Sequence, residues 1–134
     1  MSRVRLYLVR HAHAAPGSPD ELRRISPDGR RQARALGERL AADGVRPSAI
    51  LTSPLLRARE TGELLARALG CASAADKRLA PGATVEDVRT AVSGRGETVV
   101  VVAHQPDCGQ IAAELGGGEP AFPPAGFCVL ELDA

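Results

Sequence analysis

Two arginines and two histidines stand where apolar runs of this chain stop. Arg10 and His11 follow Leu6-Tyr7-Leu8-Val9, Arg57 comes soon after Ile50-Leu51-Thr52, and His104 directly follows Val99-Val100-Val101-Val102-Ala103. In an open α/β sheet, ligands bind beyond the carboxyl ends of the strands, and parallel strands bring those ends to one edge. Four side chains distant in sequence can therefore meet. A guanidinium fork matches phosphate oxygens in paired hydrogen bonds. With no carboxylate cluster beside them, the four make an electropositive pocket for a phosphoryl group. Arg10-His11 alone would be an ordinary basic dipeptide in a solvated loop; the repetition at three strand ends gives it weight.

The elements that must position these residues are legible as alternating strands and helices. Arg3 to Val9 ends in an unbroken apolar run, suited to a central strand covered on both faces. Residues 14 to 25 hold two prolines and a glycine without sustained periodicity and are expected to form a surface loop bordering the site. Ser26-Pro27 is a helix start: serine can accept from a free amide of the first turn, and proline needs no N–H there. Ala33, Leu36 and Leu40 give that helix its buried stripe, and Gly44 ends it. Ser48 to Thr52 is a second strand. Ser53-Pro54 is read as a second cap and first-turn proline, with Leu55, Ala58, Leu65, Ala68 and Leu69 facing inward and Gly70 closing the helix. Arg57 then lies in a first helical turn, where free amides and the dipole already favour an anion.

Further along, Ala72 to Ala75 is a weak strand and Leu79 to Gly82 a loop. Thr84 with Asp87 has the spacing of a capping box, opening a short helix with Val85, Val88 and Val92 inward. Thr98 to Ala103 is the clearest strand, β-branched throughout its centre. Gln105-Pro106-Asp107 leads into a helix carrying Ile111, Ala112 and Leu115, and the three glycines 116 to 118 stop it. Gly126 to Leu132 is the last strand, of unassigned direction; the Gly/Pro loop before it permits an antiparallel edge. The sum is a three-layer α/β/α domain with a mostly parallel central sheet, a single domain over residues 1–134.

Composition narrows the function. The 134 residues are 44% hydrophobic and 25% charged, ordinary globular values. Aromatics are limited to Tyr7, Phe122 and Phe127, so Leu, Val, Ile and Ala must build the core. A net charge of +1 excludes the strong basic excess of a general nucleic-acid binder, so any anion site is local. Cys71, Cys108 and Cys128 lack zinc or C-x-x-C spacing and are read as reduced core thiols. No run approaches the ~20 apolar residues of a membrane span and no leader pattern opens the chain, so a cytoplasmic location is expected.

With these residues in view, the chain resembles the histidine phosphatase superfamily, phosphoglycerate mutase-like in fold, and particularly its short SixA-type phosphohistidine phosphatases. Leu8-Val9-Arg10-His11 resembles the start of the family's R-H-G motif, Ser53-Pro54-Leu55-Leu56-Arg57-Ala58 its S-P-L-x-R-A motif, and Ala103-His104 its second histidine. The resemblance implies that His11 is a nucleophile that takes the phosphoryl group, while Arg10, Arg57 and His104 hold it. His11 must be neutral to attack, and neighbouring arginine charge is expected to lower its pKa; a backbone carbonyl can hold one ring nitrogen while the other faces phosphorus. His104 works better as imidazolium, toward which a bound phosphate dianion would move it. No metal or cofactor is called for. The expected partner is a phosphohistidine-bearing protein, with no nucleic acid and no membrane involved, and the chain is expected to be a monomer.

The chain departs from the family pattern beside the nucleophile. Ala12 replaces the usual glycine, which would strain the edge if that position needed a positive φ. His13 stands where an acidic residue is common and is read as an exposed loop histidine. No carboxylic acid for protonating a leaving oxygen can be assigned; Glu86 and Asp87 lie in the right region, but capping explains Asp87. A phosphoramidate tolerates that lack because its P–N bond is labile. Two alternatives stay open: a phosphomonoesterase for small metabolites, and a non-catalytic phosphate-binding module.

Overall fold

The computed structural model describes residues 2–134. Strands β1 (Arg3–Arg10), β2 (Ala49–Thr52), β3 (Ser73–Ala75), β4 (Thr98–Ala103) and β5 (Phe127–Asp133) form one sheet in the order β3-β2-β4-β1-β5. All neighbours run parallel except β1 and β5, which pair antiparallel at the edge. The four helices are α1 (Pro27–Ala42), α2 (Leu56–Leu69), α3 (Val85–Val92) and α4 (Asp107–Glu114).

Alternation along the central strands sorts their side chains between two apolar layers. Leu6 and Leu8 of β1, with Val99 and Val101 of β4, pack with Val88 of α3 and Ile111 of α4. Val9, Val100 and Val102 go to the opposite face with Leu36 and Leu40 of α1 and Leu65 of α2. Both faces of β1 and β4 are therefore covered, which is why their sequences are apolar at successive positions.

The capping signals hold at α1 and α3. Ser26 accepts from Gly29 N–H ahead of Pro27, and Thr84 and Asp87 complete a reciprocal capping box. At α2 the expectation fails. Ser53 N–H stays bonded to the Val102 carbonyl at 2.9 Å, the chain remains extended through Leu55 (φ −67, ψ 140), and the helix begins at Leu56. Ser53 is thus an extension of the sheet edge and Pro54 lies outside the helix. The α2 stripe also differs: Leu64 is buried and Ala68 exposed, because α2 leans across β2 on the face that carries Thr61 and Gly62. Gly62 is required there, since a Cβ would lie 2.4 Å from Thr52 Cγ2. Leu79, read as loop, sits in a short 3₁₀ turn (Lys77–Leu79) with its side chain fully buried. Only Cys108 of the three free thiols is a core residue; Cys71 and Cys128 are half-buried. Among the described residues no helix is long and apolar enough to cross a membrane.

Candidate active site

The strand order decides which side chains meet. β4 lies between β1 and β2 with Arg10 in register with Ala103 and Thr52 in register with Val102, so the next residues, His11, His104 and Ser53, leave the sheet side by side. His11 N–H bonds the Ala103 carbonyl at 3.0 Å, and the rings of His11 and His104 lie 5.2 Å apart. Arg57, second residue of α2, is buried at the same edge. The four expected residues therefore occupy one site.

The His11 ring has a defined tautomer. Its Nδ1 lies 2.7 Å from the carbonyl oxygen of Ala12, an atom that can only accept, so Nδ1 carries the proton and Nε2 keeps its lone pair. Nε2 has no hydrogen-bond partner among the described residues. Burial is the largest cause holding the His11 pKa down at about 4, opposed by the Ala12 carbonyl and supplemented by Arg57, Arg10 and Arg23. Arginine charge thus assists, but desolvation dominates, which reverses the emphasis expected from sequence. The ring is neutral at pH 7.

The residue whose carbonyl grips His11 is itself held. Ala12 N–H donates to Thr61 Oγ1 at 3.0 Å, and the Thr61 hydroxyl donates to the Arg57 carbonyl at 2.8 Å. Thr61 is fully buried. Ala12 is fully buried in the apolar layer beneath α1 and α2 and has no positive φ, so the expected strain is absent. Among the described residues the non-glycine one with positive φ is Ala125 (φ 60), whose N–H reaches the carbonyls of Arg10 (3.1 Å) and His11 (3.3 Å). The loop before β5 thus braces the backbone of both residues.

The two arginines are held differently. Arg10 donates through Nη1 to the Phe122 carbonyl at 2.9 Å, while its buried Nε has no partner, the only such side-chain atom among the described residues. A buried cationic donor without an acceptor is costly unless a ligand supplies one. Arg57 donates through Nη1 to the Asp20 carbonyl (3.0 Å) and through Nη2 to Asp20 Oδ2 (3.2 Å). His104 Nε2 is 2.7 Å from Ser53 Oγ, which also accepts from Leu55 N–H at 3.2 Å. Burial, then His11 and Arg57, lower the His104 pKa to about 4, with Asp20 opposing. In the free protein His104 is neutral rather than imidazolium.

Thr61 and Asp20 were not singled out from the sequence, and Ser53, though part of the S-P-L-x-R-A resemblance, was given no role beside His104. Ser53 looked like a cap because Ser-Pro is a common helix start, and a hydroxyl in mid-helix such as Thr61 gives no sign of its partner. Asp20 had a usable signal, since it is an acid in the loop leaving the Arg10-His11 edge. That loop contains one 3₁₀ turn (Asp20–Leu22) and is anchored by buried Glu60, which accepts from Arg24 (2.8 and 3.1 Å) and from Ile25 N–H (2.9 Å). Glu86 and Asp87 are engaged elsewhere, with Arg89 and with the α3 cap. His13 is exposed, its Nδ1 2.7 Å from Ser26 Oγ at the start of α1.

Comparison with known proteins supplies the family and the fold. The family model described as histidine phosphatase superfamily (branch 1) matches residues 6–81. An uncharacterized protein of Picosynechococcus sp. is 35% identical over 124 residues, covering 87% of this chain and 75% of the relative. The phosphohistidine phosphatase SixA of Escherichia coli is 30% identical over 139 residues, covering 97% and 86%. A solved structure of the protein histidine phosphatase SixA complexed with tungstate has a TM-score of 0.84 at 28% identity, over 94% of this chain and 86% of that one.

Proposed function

The chain belongs to the histidine phosphatase superfamily, with its phosphoglycerate mutase-like fold, and from that premise we propose that it is a phosphatase that works through a covalent phosphohistidine on His11 and takes the phosphoryl group from phosphohistidine on another protein. The observation that carries the mechanism is the His11 ring: neutral, with Nδ1–H fixed on the Ala12 carbonyl and Nε2 free beside two arginines.

In the first displacement the Nε2 lone pair forms a bond to phosphorus as the bond to the leaving group breaks. Arg10, through its unpaired Nε, and Arg57 neutralise the equatorial oxygens, where a well-placed arginine is worth on the order of 10³ in rate. His104 is held through Nε2 by Ser53, leaving Nδ1 open to a phosphoryl oxygen; an arriving dianion raises its pKa toward the cation. Water then displaces His11 from phosphorus. Throughout, Nδ1 keeps its proton and donates it to the Ala12 carbonyl, so phosphorylated His11 carries a proton on its distal nitrogen and is a good leaving group.

Two features favour an N-linked substrate. The carboxylate at the site, Asp20, is held below the usual range, first by its bond to Arg23, so it is ionised and unsuited to protonating an alkoxide. A relative in the comparison is a phosphohistidine phosphatase. The reading predicts a labelled phosphoenzyme, trapped from phosphohistidine peptide, that is lost in His11→Ala. Label retained in that variant would overturn the mechanism. Faster turnover of sugar or nucleotide phosphates than of the peptide would replace the substrate assignment alone.

A further inference from the structure

We infer that Asp20 is the residue that selects the leaving group: its carboxylate accepts the N–H on the distal ring nitrogen of the substrate's phosphohistidine while Arg57 holds the phosphoryl group. This deepens the proposed function and rests on it.

The geometry places Asp20 on the outer side of the site. His104 and Arg57 are buried and His11 is half-buried, so a phosphoryl group enters from solvent with its leaving group outermost. The Asp20 side chain is 62% exposed, yet it is not free to wander. Its Oδ2 is bonded by Arg57 Nη2 and its Oδ1 by Arg23 Nη1 (3.1 Å), and Arg23 is itself tied to the Ala15 carbonyl (3.0 Å). The base of the loop is closed by the Ala14–Ile25 bridge and by Glu60. Each carboxylate oxygen can accept about two hydrogen bonds, so an acceptor position remains on both after the arginines are satisfied.

The chemistry asks for such an acceptor. The transfer runs between two imidazoles, and on the enzyme's own ring the Ala12 carbonyl holds the distal N–H. The substrate ring has the same need: protonated on its distal nitrogen, it leaves as a neutral imidazole. His11 Nε2 bonds to phosphorus, the substrate's P–N bond breaks, its electron pair returns to the substrate nitrogen, and the distal proton stays on the departing ring against Asp20. An ester oxygen offers no such N–H, so Asp20 discriminates in favour of phosphohistidine.

The test compares a phosphohistidine peptide with p-nitrophenyl phosphate in wild type, Asp20→Asn and Asp20→Ala. The loop geometry around Arg57 affects both substrates; the N–H acceptor affects only the peptide. Loss of a charge-assisted hydrogen bond corresponds to about 10- to 100-fold, so the ratio of kcat/KM, peptide over aryl phosphate, is expected to fall at least about 10-fold in Asp20→Ala. Asp20→Asn, which keeps a neutral acceptor, should lie between. An unchanged ratio in both variants, with the wild type active on the peptide, overturns the inference alone. A wild type that hydrolyses the aryl phosphate but not the peptide overturns the substrate reading and the inference together.

Discussion

Replacing Thr61 with valine should damage both the fold and the chemistry, although Thr61 faces the core. Valine has nearly the same shape, so little cavity is created and the change is one of hydrogen bonding. The Arg57 carbonyl retains the ordinary helical bond from residue 61. Ala12 N–H, in contrast, loses its acceptor at 3.0 Å in a place with no access to water. An orphaned buried donor costs about 1–3 kcal/mol. For a chain of this size about 2 kcal/mol lowers Tm by roughly 8 °C. Ala12 is also the residue whose carbonyl fixes the His11 tautomer, so a shift of its backbone misaligns Nε2, and a small misplacement can cost up to about 10²-fold in rate. The expected result for Thr61→Val is therefore a lower Tm with kcat reduced about 10-fold or more, whereas Thr61→Ser, which keeps the hydroxyl, recovers most of both. The assays are thermal unfolding by circular dichroism and steady-state turnover. A Thr61→Val enzyme with wild-type Tm and kcat, or a serine variant as impaired as valine, would refute the reasoning.

Two further outcomes follow from the site's electrostatics. His11 and His104 have folded pKa values of about 4 against 6.5 when unfolded, so as pH falls the unfolded chain takes up protons first. Their stability contribution is complete above pH 6.5 and is lost as pH falls through 4; with solvent screening the pair should give a slope of about 1 kcal/mol per pH unit. Urea melts between pH 7.5 and 4.5 measure it, and NMR titration with saturating inorganic phosphate should move His104 upward; no slope and a titration near 6.5 would contradict the burial argument. Glu60→Ala should cost about 1–3 kcal/mol, because Ile25 N–H loses its acceptor while exposed Arg24 can turn to water. The same variant should open residues 16–24 to limited proteolysis, and a resistant loop with unchanged Tm would show that Glu60 does not anchor it.

Local chemistry that needs no distant partner was readable in advance. The Ser26 cap, the Thr84–Asp87 box, the stop at Gly70 (φ 65) and the boundaries of β4 all follow from one or two adjacent residues and the backbone groups they satisfy. Cap signals become ambiguous where another partner competes. Ser53 is the instance: the same hydroxyl that could cap a helix is drawn to His104, and the strand's last hydrogen bond keeps it in the sheet.

The site divides along the same line. Apolar runs ending in Arg10-His11 and His104, and an arginine at a helix start, were enough to bring these four side chains to one edge, because parallel strands must end there; that they hold a phosphoryl group is the proposal made above. The residues that tune it could not be assembled in this way. Thr61 and Asp20 act through contacts between segments tens of residues apart, which register and loop path establish and composition does not encode. Burial, likewise, is a property of the packed chain. Burial in the folded chain lowers the His11 pKa from 6.5 to about 4, so the residue's identity was written locally while its protonation state came from the fold around it.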